Sequence, residues 1–171
     1  CDDFNVKLAK QRMQEADEIP NLKYGCPAWI DALCKKELGD AWDNEKVSLG
    51  KEPKRYIRTN TLKTSKEKLA QSLTASKIKT KAIDTAPDCL EIIGNAALFR
   101  TQAFKDGWFE QQDLGSQLIA PFLNVKPGMR VVDACAGAGG KTLHLSALMQ
   151  GKGMLIAMDN KEWKLKALKD R

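Results

Sequence analysis

Met129-Arg130-Val131-Val132-Asp133-Ala134-Cys135-Ala136-Gly137-Ala138-Gly139-Gly140-Lys141-Thr142, with Met154-Leu155-Ile156-Ala157-Met158-Asp159 a short helical stretch later, is the part of this sequence that decides its fold. Val131 and Val132 lead as a strand to Asp133, and the glycine-rich run from Cys135 to Gly140 follows as a loop. Leu143, Leu145 and Leu148 then recur at helical spacing up to Gly151, where a glycine can close the helix. Residues 154–158 are continuously apolar, the pattern of a strand buried on both faces, and they end at Asp159. The order strand, loop, helix, strand, acid describes one βαβ unit.

Glycines at such a turn let the backbone approach a ligand closely, and the helix that follows presents unpaired N–H groups and its positive dipole end. An acidic residue at the end of the next strand, about 20 residues on, can accept hydrogen bonds from ribose hydroxyls. The pattern therefore points to a nucleoside-bearing ligand, and spacing does not choose between a dinucleotide and S-adenosylmethionine. A P-loop is a third reading, because Gly140-Lys141-Thr142 supplies its ending. Its first glycine would have to stand at position 135, which is Cys135.

Upstream, residues 4–18 have helical composition, and Pro20 ends the run. Pro27 suits a first helical turn, Trp29, Ile30, Leu33, Cys34 and Leu38 share a helical face, and Gly39 caps the end. Asp40 is placed to cap a third helix from Ala41 to Leu49. These make a helical module over residues 1–50. After Pro53 the pattern changes. Residues 55–61 read as a strand, and Thr64 with Glu67 forms a capping box for a helix carrying Leu69 and Leu73. Two extended runs, 79–83 and 89–93, flank a Pro87-Asp88 turn, and Asp106-Gly107 precedes another strand at 108–111. This is a small α+β domain over residues 51–110. Asp113 can cap a helix from Leu114 to Ala120, kept short or kinked by Pro121, and residues 111–171 begin an α/β domain.

The 171 residues are 43% hydrophobic, enough for a sizeable core, and no apolar run approaches the roughly 20 residues of a membrane span. Lys and Arg number 28 against 22 Asp and Glu, a net +6 that favours polyanionic partners. Five scattered cysteines (Cys1, Cys26, Cys34, Cys89, Cys135), none spaced as Cys-x-x-Cys, fit a reducing cytoplasm and disfavour a disulfide framework or a metal site. The chain opens at Cys1 and stops at Arg171 inside a helical pattern, so both ends read as cut.

The loop residues 133–142 resemble the Asp-x-Cys-Ala-Ala-Pro-Gly-Gly-Lys-Thr motif of the RsmB/Sun (NOP-type) RNA 5-methylcytosine methyltransferases. Pro27-Ala28-Trp29-Ile30, Arg58-Thr59-Asn60-Thr61-Leu62-Lys63, and Gly107-Trp108-Phe109-Glu110-Gln111-Gln112-Asp113 with Ser116-Gln117 are similar to further landmarks of that family, in the family's order. The resemblance implies a Rossmann-like methyltransferase domain preceded by an RNA-binding α+β domain. It also implies S-adenosylmethionine held by Cys135, Ala136, Gly137, Ala138, Gly139, Gly140 and Lys141, with Asp159 on the ribose. Gly137 and Ala138 depart from the family's Ala and Pro; losing the proline loosens the free loop and predicts modestly weaker binding.

The family attacks cytosine C6 with a cysteine of a Pro-Cys-Ser or Thr-Cys-Ser motif, and neither tripeptide occurs here. Without that adduct C5 is too weak a nucleophile, so this stretch alone is expected not to methylate. Cys135 belongs to the cofactor loop in this reading rather than to catalysis, and His144, the only histidine, to a core or solvated position. The expected substrate is ribosomal or transfer RNA. Arg55, Arg58 and Lys63 are candidates for its phosphates, with a solvated strand face as the other reading. Asp133 is placed to orient the loop through backbone N–H groups. A non-catalytic RNA-binding module with a vestigial nucleotide loop is the alternative from a different class.

Overall fold

A computed structural model describes residues 5–170; Cys1, Phe4 and Arg171 lie outside the described residues. The chain divides into two compact units between Pro53 and Lys54. No helix among the described residues is long and apolar enough to cross a membrane.

The first unit is helical: α1 (Val6–Asp17), α2 (Pro20–Lys23), α3 (Ala28–Leu38) and α4 (Ala41–Leu49). Asn5 caps α1 by accepting from Leu8 N at 3.1 Å, and α3 ends at Gly39 with φ 57°, a left-handed conformation that suits glycine. Trp42 is its one buried hydrophobic residue among those described. The Trp42 indole and Lys46 Nζ both donate to Asp31 Oδ1 at 2.8 Å, tying α4 to α3. The apolar stripe of α3 does not form a core: Trp29 is 68% exposed and Leu33 50%. Asp40 precedes α4 as expected, but its side chain makes no capping bond, because it is already in helical conformation.

The second unit holds two sheets. β1 (Arg55–Thr59), α5 (Lys66–Ala75), β2 (Lys79–Ala82), β3 (Cys89–Ile93), a 3-10 turn (Leu98–Arg100), α6 (Gln102–Lys105) and β4 (Phe109–Gln111) come first. Their strands form an antiparallel sheet ordered β2-β3-β1-β4, with Ile57 opposite Leu90 and Thr59 opposite Phe109. Under one face Ile57, Leu69, Leu73, Ile78, Leu90, Ile92, Leu98 and Phe109 pack into one core, with Trp108 against its margin. At α5 the cap is Ser65, which accepts from Lys68 N, one residue past the Thr64 expected from the pattern. Thr64 and Ser65 are both competent hydroxyls.

The other face of this sheet is covered as well. Arg58 and Cys89 point there and are 2% and 0% exposed, against α7 (Leu114–Phe122) and α8 (Gly140–Leu148). α7 is capped by Asp113, which accepts from Gly115 N, and it runs through Pro121 into its last turn. β5 (Arg130–Asp133) and β6 (Met154–Ala157) form a second, parallel sheet with Val132 beside Ile156, followed by α9 (Glu162–Lys169). The expectation that β6 is buried on both faces is overturned. Ile156 is 45% exposed and Val132 57%, since exposure alternates along both strands and one face of the two-stranded sheet stays open.

Candidate functional site

The loop between β5 and α8 is fastened at both shoulders by Asp133. Its Oδ1 accepts from Cys135 N at 3.3 Å, and its Oδ2 accepts from the Thr142 hydroxyl at 2.7 Å. Ala136 N donates to Met158 O at 2.9 Å, and Met158 N to Asp133 O at 2.8 Å, which stitches the loop to the end of β6. Gly139 is in the left-handed region at φ 95°, and a Cβ there would run into the Leu168 side chain of α9. The left-handed conformation therefore calls for glycine, and a larger residue would also have to push the Leu168 side chain aside. Gly137 has φ 56° with open space where a side chain would project; at this departure from the family motif, glycine removes the strain that alanine would carry.

Asp159 lies at the mouth of this loop. One carboxylate oxygen accepts from Gly137 N at 2.9 Å, the other from Lys161 N at 2.9 Å, and Lys164 Nζ is 4.0 Å away. The Lys161 amide first holds this carboxyl below its ordinary range; burial opposes it, and the Gly137 amide and the two lysine charges add to the lowering. It is ionised at neutral pH, and each oxygen retains a lone pair for a further donor. Cys135, Ala138 and Lys141 are exposed around the loop, while Ala136 and Gly139 are buried beneath it.

The structure thus brings residues 135–141 and Asp159 together, and it separates the three basic candidates. Arg55 donates to Gly94 O at 2.7 Å and Ala96 O at 3.3 Å, bracing the β3–α6 connection. Lys63 is exposed, with Nζ 3.0 Å from Asp106 O. Arg58 is neither on a solvated strand face nor placed for RNA. It is 2% exposed, and its NH1 donates to Gln112 Oε1 and, at 2.6 Å, to Gly140 O. This corrects its assignment as an RNA contact: β1 alternation sends Arg58 to the face that α8 covers. Gln112, which shares this contact, belongs to the family landmark at residues 107–113, but nothing in the sequence assigns it this role. His144 is 3% exposed with an unpartnered Nδ1, and burial first, then the Arg58 charge, lowers its pKa to about 4.

Family models match in two places, "16S rRNA methyltransferase RsmB/F" over residues 120–171 and the RsmF/B-like ferredoxin-like domain over residues 26–98. The probable ribosomal RNA small subunit methyltransferase B of Synechocystis sp. is 33% identical over 85% of this chain and 33% of its own length. The 25S rRNA (cytosine-C(5))-methyltransferase NSUN5 of Arabidopsis thaliana is 35% identical over 67% of this chain and 20% of its own. A crystal structure of a methyltransferase homolog protein from Pyrococcus horikoshii superposes with TM-score 0.76 at 26% identity, covering 88% of this chain and 50% of that one. The chain spans about a third of the length of the Synechocystis relative. With its ferredoxin-like sheet leading into a glycine loop closed by Asp133 and Asp159, it belongs to the RsmB/F family of RNA methyltransferases.

Proposed function

We propose that this chain carries the S-adenosylmethionine loop and part of the RNA-binding surface of an RNA cytosine-C5 methyltransferase acting on ribosomal or transfer RNA. The observation that carries this reading is the placement of Asp159, anchored to Gly137 N and Lys161 N at the loop mouth with lone pairs to spare. Ribose hydroxyls are donors, and an ionised carboxylate at the end of the second strand is the acceptor they need. The loop fits the rest of the ligand: Cβ-free backbone at Gly137, with open space where a side chain would project, permits close approach. The first turn of α8 presents N–H groups, and Cys135, Ala136, Ala138 and Lys141 flank the methionine portion. When bound, S-adenosylmethionine supplies a methyl group on a sulfonium. The residues described here bind and orient it.

Methylation at C5 requires a cysteine adduct at C6, and the Pro-Cys-Ser and Thr-Cys-Ser motifs are not in this sequence. Residues 1–171 therefore bind without catalysing. Lys63 is the basic candidate left facing solvent, on an α+β domain of residues 51–110 that precedes the cofactor-binding part, residues 111–171.

Calorimetric titration of the folded chain with S-adenosylhomocysteine tests the reading. Binding is expected, weakened about tenfold or more by Asp159→Ala, since a lost charge-assisted hydrogen bond is worth roughly 1.5–3 kcal/mol. RNA binding with no trace of S-adenosylhomocysteine binding would instead support the non-catalytic module with a vestigial loop.

A further inference from the structure

Arg58 is a buried cation in a costly place. Its guanidinium lies at the N-terminal end of α8, where the helix dipole is already positive, and it is 2% exposed. Desolvating a guanidinium there is unfavourable before any contact is made, and an apolar side chain of similar size would satisfy packing more cheaply. What the arginine does that leucine or methionine cannot is direct its NH1 at the Gly140 carbonyl while Gln112 Oε1 accepts from the same nitrogen. Gly140 opens α8 and closes the loop. The Gln112 amide lies against Gly140 itself, 3.7 Å from where a Cβ would stand, an ordinary packing distance. Beside this contact, a cavity of about 170 Å³ lined by Asn60, Lys63, Glu110 and Ser146 separates the end of β1 from α8. The guanidinium crosses from the sheet to the helix where other packing leaves room.

We propose that Arg58 is a positioning residue for the cofactor loop: through Gln112 and the Gly140 carbonyl, it fixes the C-terminal shoulder of the loop against the ferredoxin-like sheet. Asp133 and Asp159 hold the loop from the β5–β6 side, and Arg58 holds it from the sheet assigned to RNA. Strain placed on β1 by a bound RNA is transmitted to Gly140 through one side chain. The inference rests on the loop being the adenosyl site only for its consequence in binding; the mechanical link stands on the geometry.

The test uses the whole chain and two readouts. Amide exchange is followed at Gly139 and Leu143 in the loop shoulder, with Ile57 and Leu90 as references in the sheet. In Arg58→Met the shoulder amides should exchange about tenfold faster with the references unchanged, and Arg58→Lys should restore part of the protection. S-adenosylhomocysteine affinity should follow the same order. If Arg58→Met does not fold, Arg58→Lys and Gln112→Ala carry the comparison, since each keeps one side of the contact. Shoulder exchange identical to wild type in these folded variants overturns the proposal. Absence of S-adenosylhomocysteine binding in wild type overturns the cofactor reading instead, and leaves the exchange result to decide the role of Arg58.

Discussion

The two sheets of the second unit are built from the same kinds of residue and meet different fates. In the antiparallel sheet Ile57, Leu90 and Phe109 are 0%, 2% and 1% exposed, while in the parallel pair Val132 and Ile156 are 57% and 45% exposed. Both contain apolar strand residues; what differs is the number of layers laid over them. The first sheet has four strands, α5 and its core under one face, and α7 and α8 over the other. The second has two strands, joined by α8 and open on the face where Val132 and Ile156 project. A strand is therefore a local property of sequence, and its burial is a property of what else the chain folds against it.

The sharpest way to break this contrast is to empty the first core. Leu73→Ala should lower the unfolding free energy by about 3–5 kcal/mol, because the site is fully enclosed and collapses poorly around a void. Urea denaturation measures it, and a loss below about 1 kcal/mol would put the first sheet in the same class as the second.

The next test asks whether α8 is seated between the sheets. His144 has a folded pKa of about 4 against an ordinary 6.5, so the unfolded chain binds the extra proton between those values. Its contribution is present in full above pH 6.5 and is lost as pH falls toward 4, roughly 2–3 kcal/mol after allowing for solvent screening. Asp88, whose carboxyl burial pushes up, works in the opposite direction. The useful quantity is therefore the difference in pH slope between wild type and His144→Gln, and equal slopes would mean that the helix face is wet.

The smallest effect belongs to the open sheet. Val132→Thr should change stability by no more than about 0.5 kcal/mol, as at other exposed strand positions. A loss of 2 kcal/mol or more, on the order of a core substitution, would show that face to be covered in solution.

Much of this was legible from local pattern. The alternation of residues 55–61, the turns at Pro87-Asp88 and Asp106-Gly107, and the glycine run before α8 depend on near neighbours, and the strands and loop lie where those residues put them. Asp159 was legible for the same reason: a parallel strand pair fixes where its ends fall relative to the loop between them. Arg58 was not. Charge suggests an outward side chain, and it is α7 and α8, the latter with its Gly140 82 positions further along, that turn that face of the sheet into an interior. The α3 stripe misled in the opposite sense: Trp29 and Leu33 have the spacing of a core face and remain exposed. Periodicity reports which residues share a side of a helix, and long-range packing decides what that side meets.

Asp133 has a kinetic consequence. Because one carboxylate grips the amide just after β5 and the hydroxyl one turn into α8, the segment between them has few alternative shapes to sample while it waits. On the proposed cofactor reading, this fastening offsets part of the freedom that the missing proline gives the loop, so capture is expected to depend more on encounter than on rearrangement of the chain.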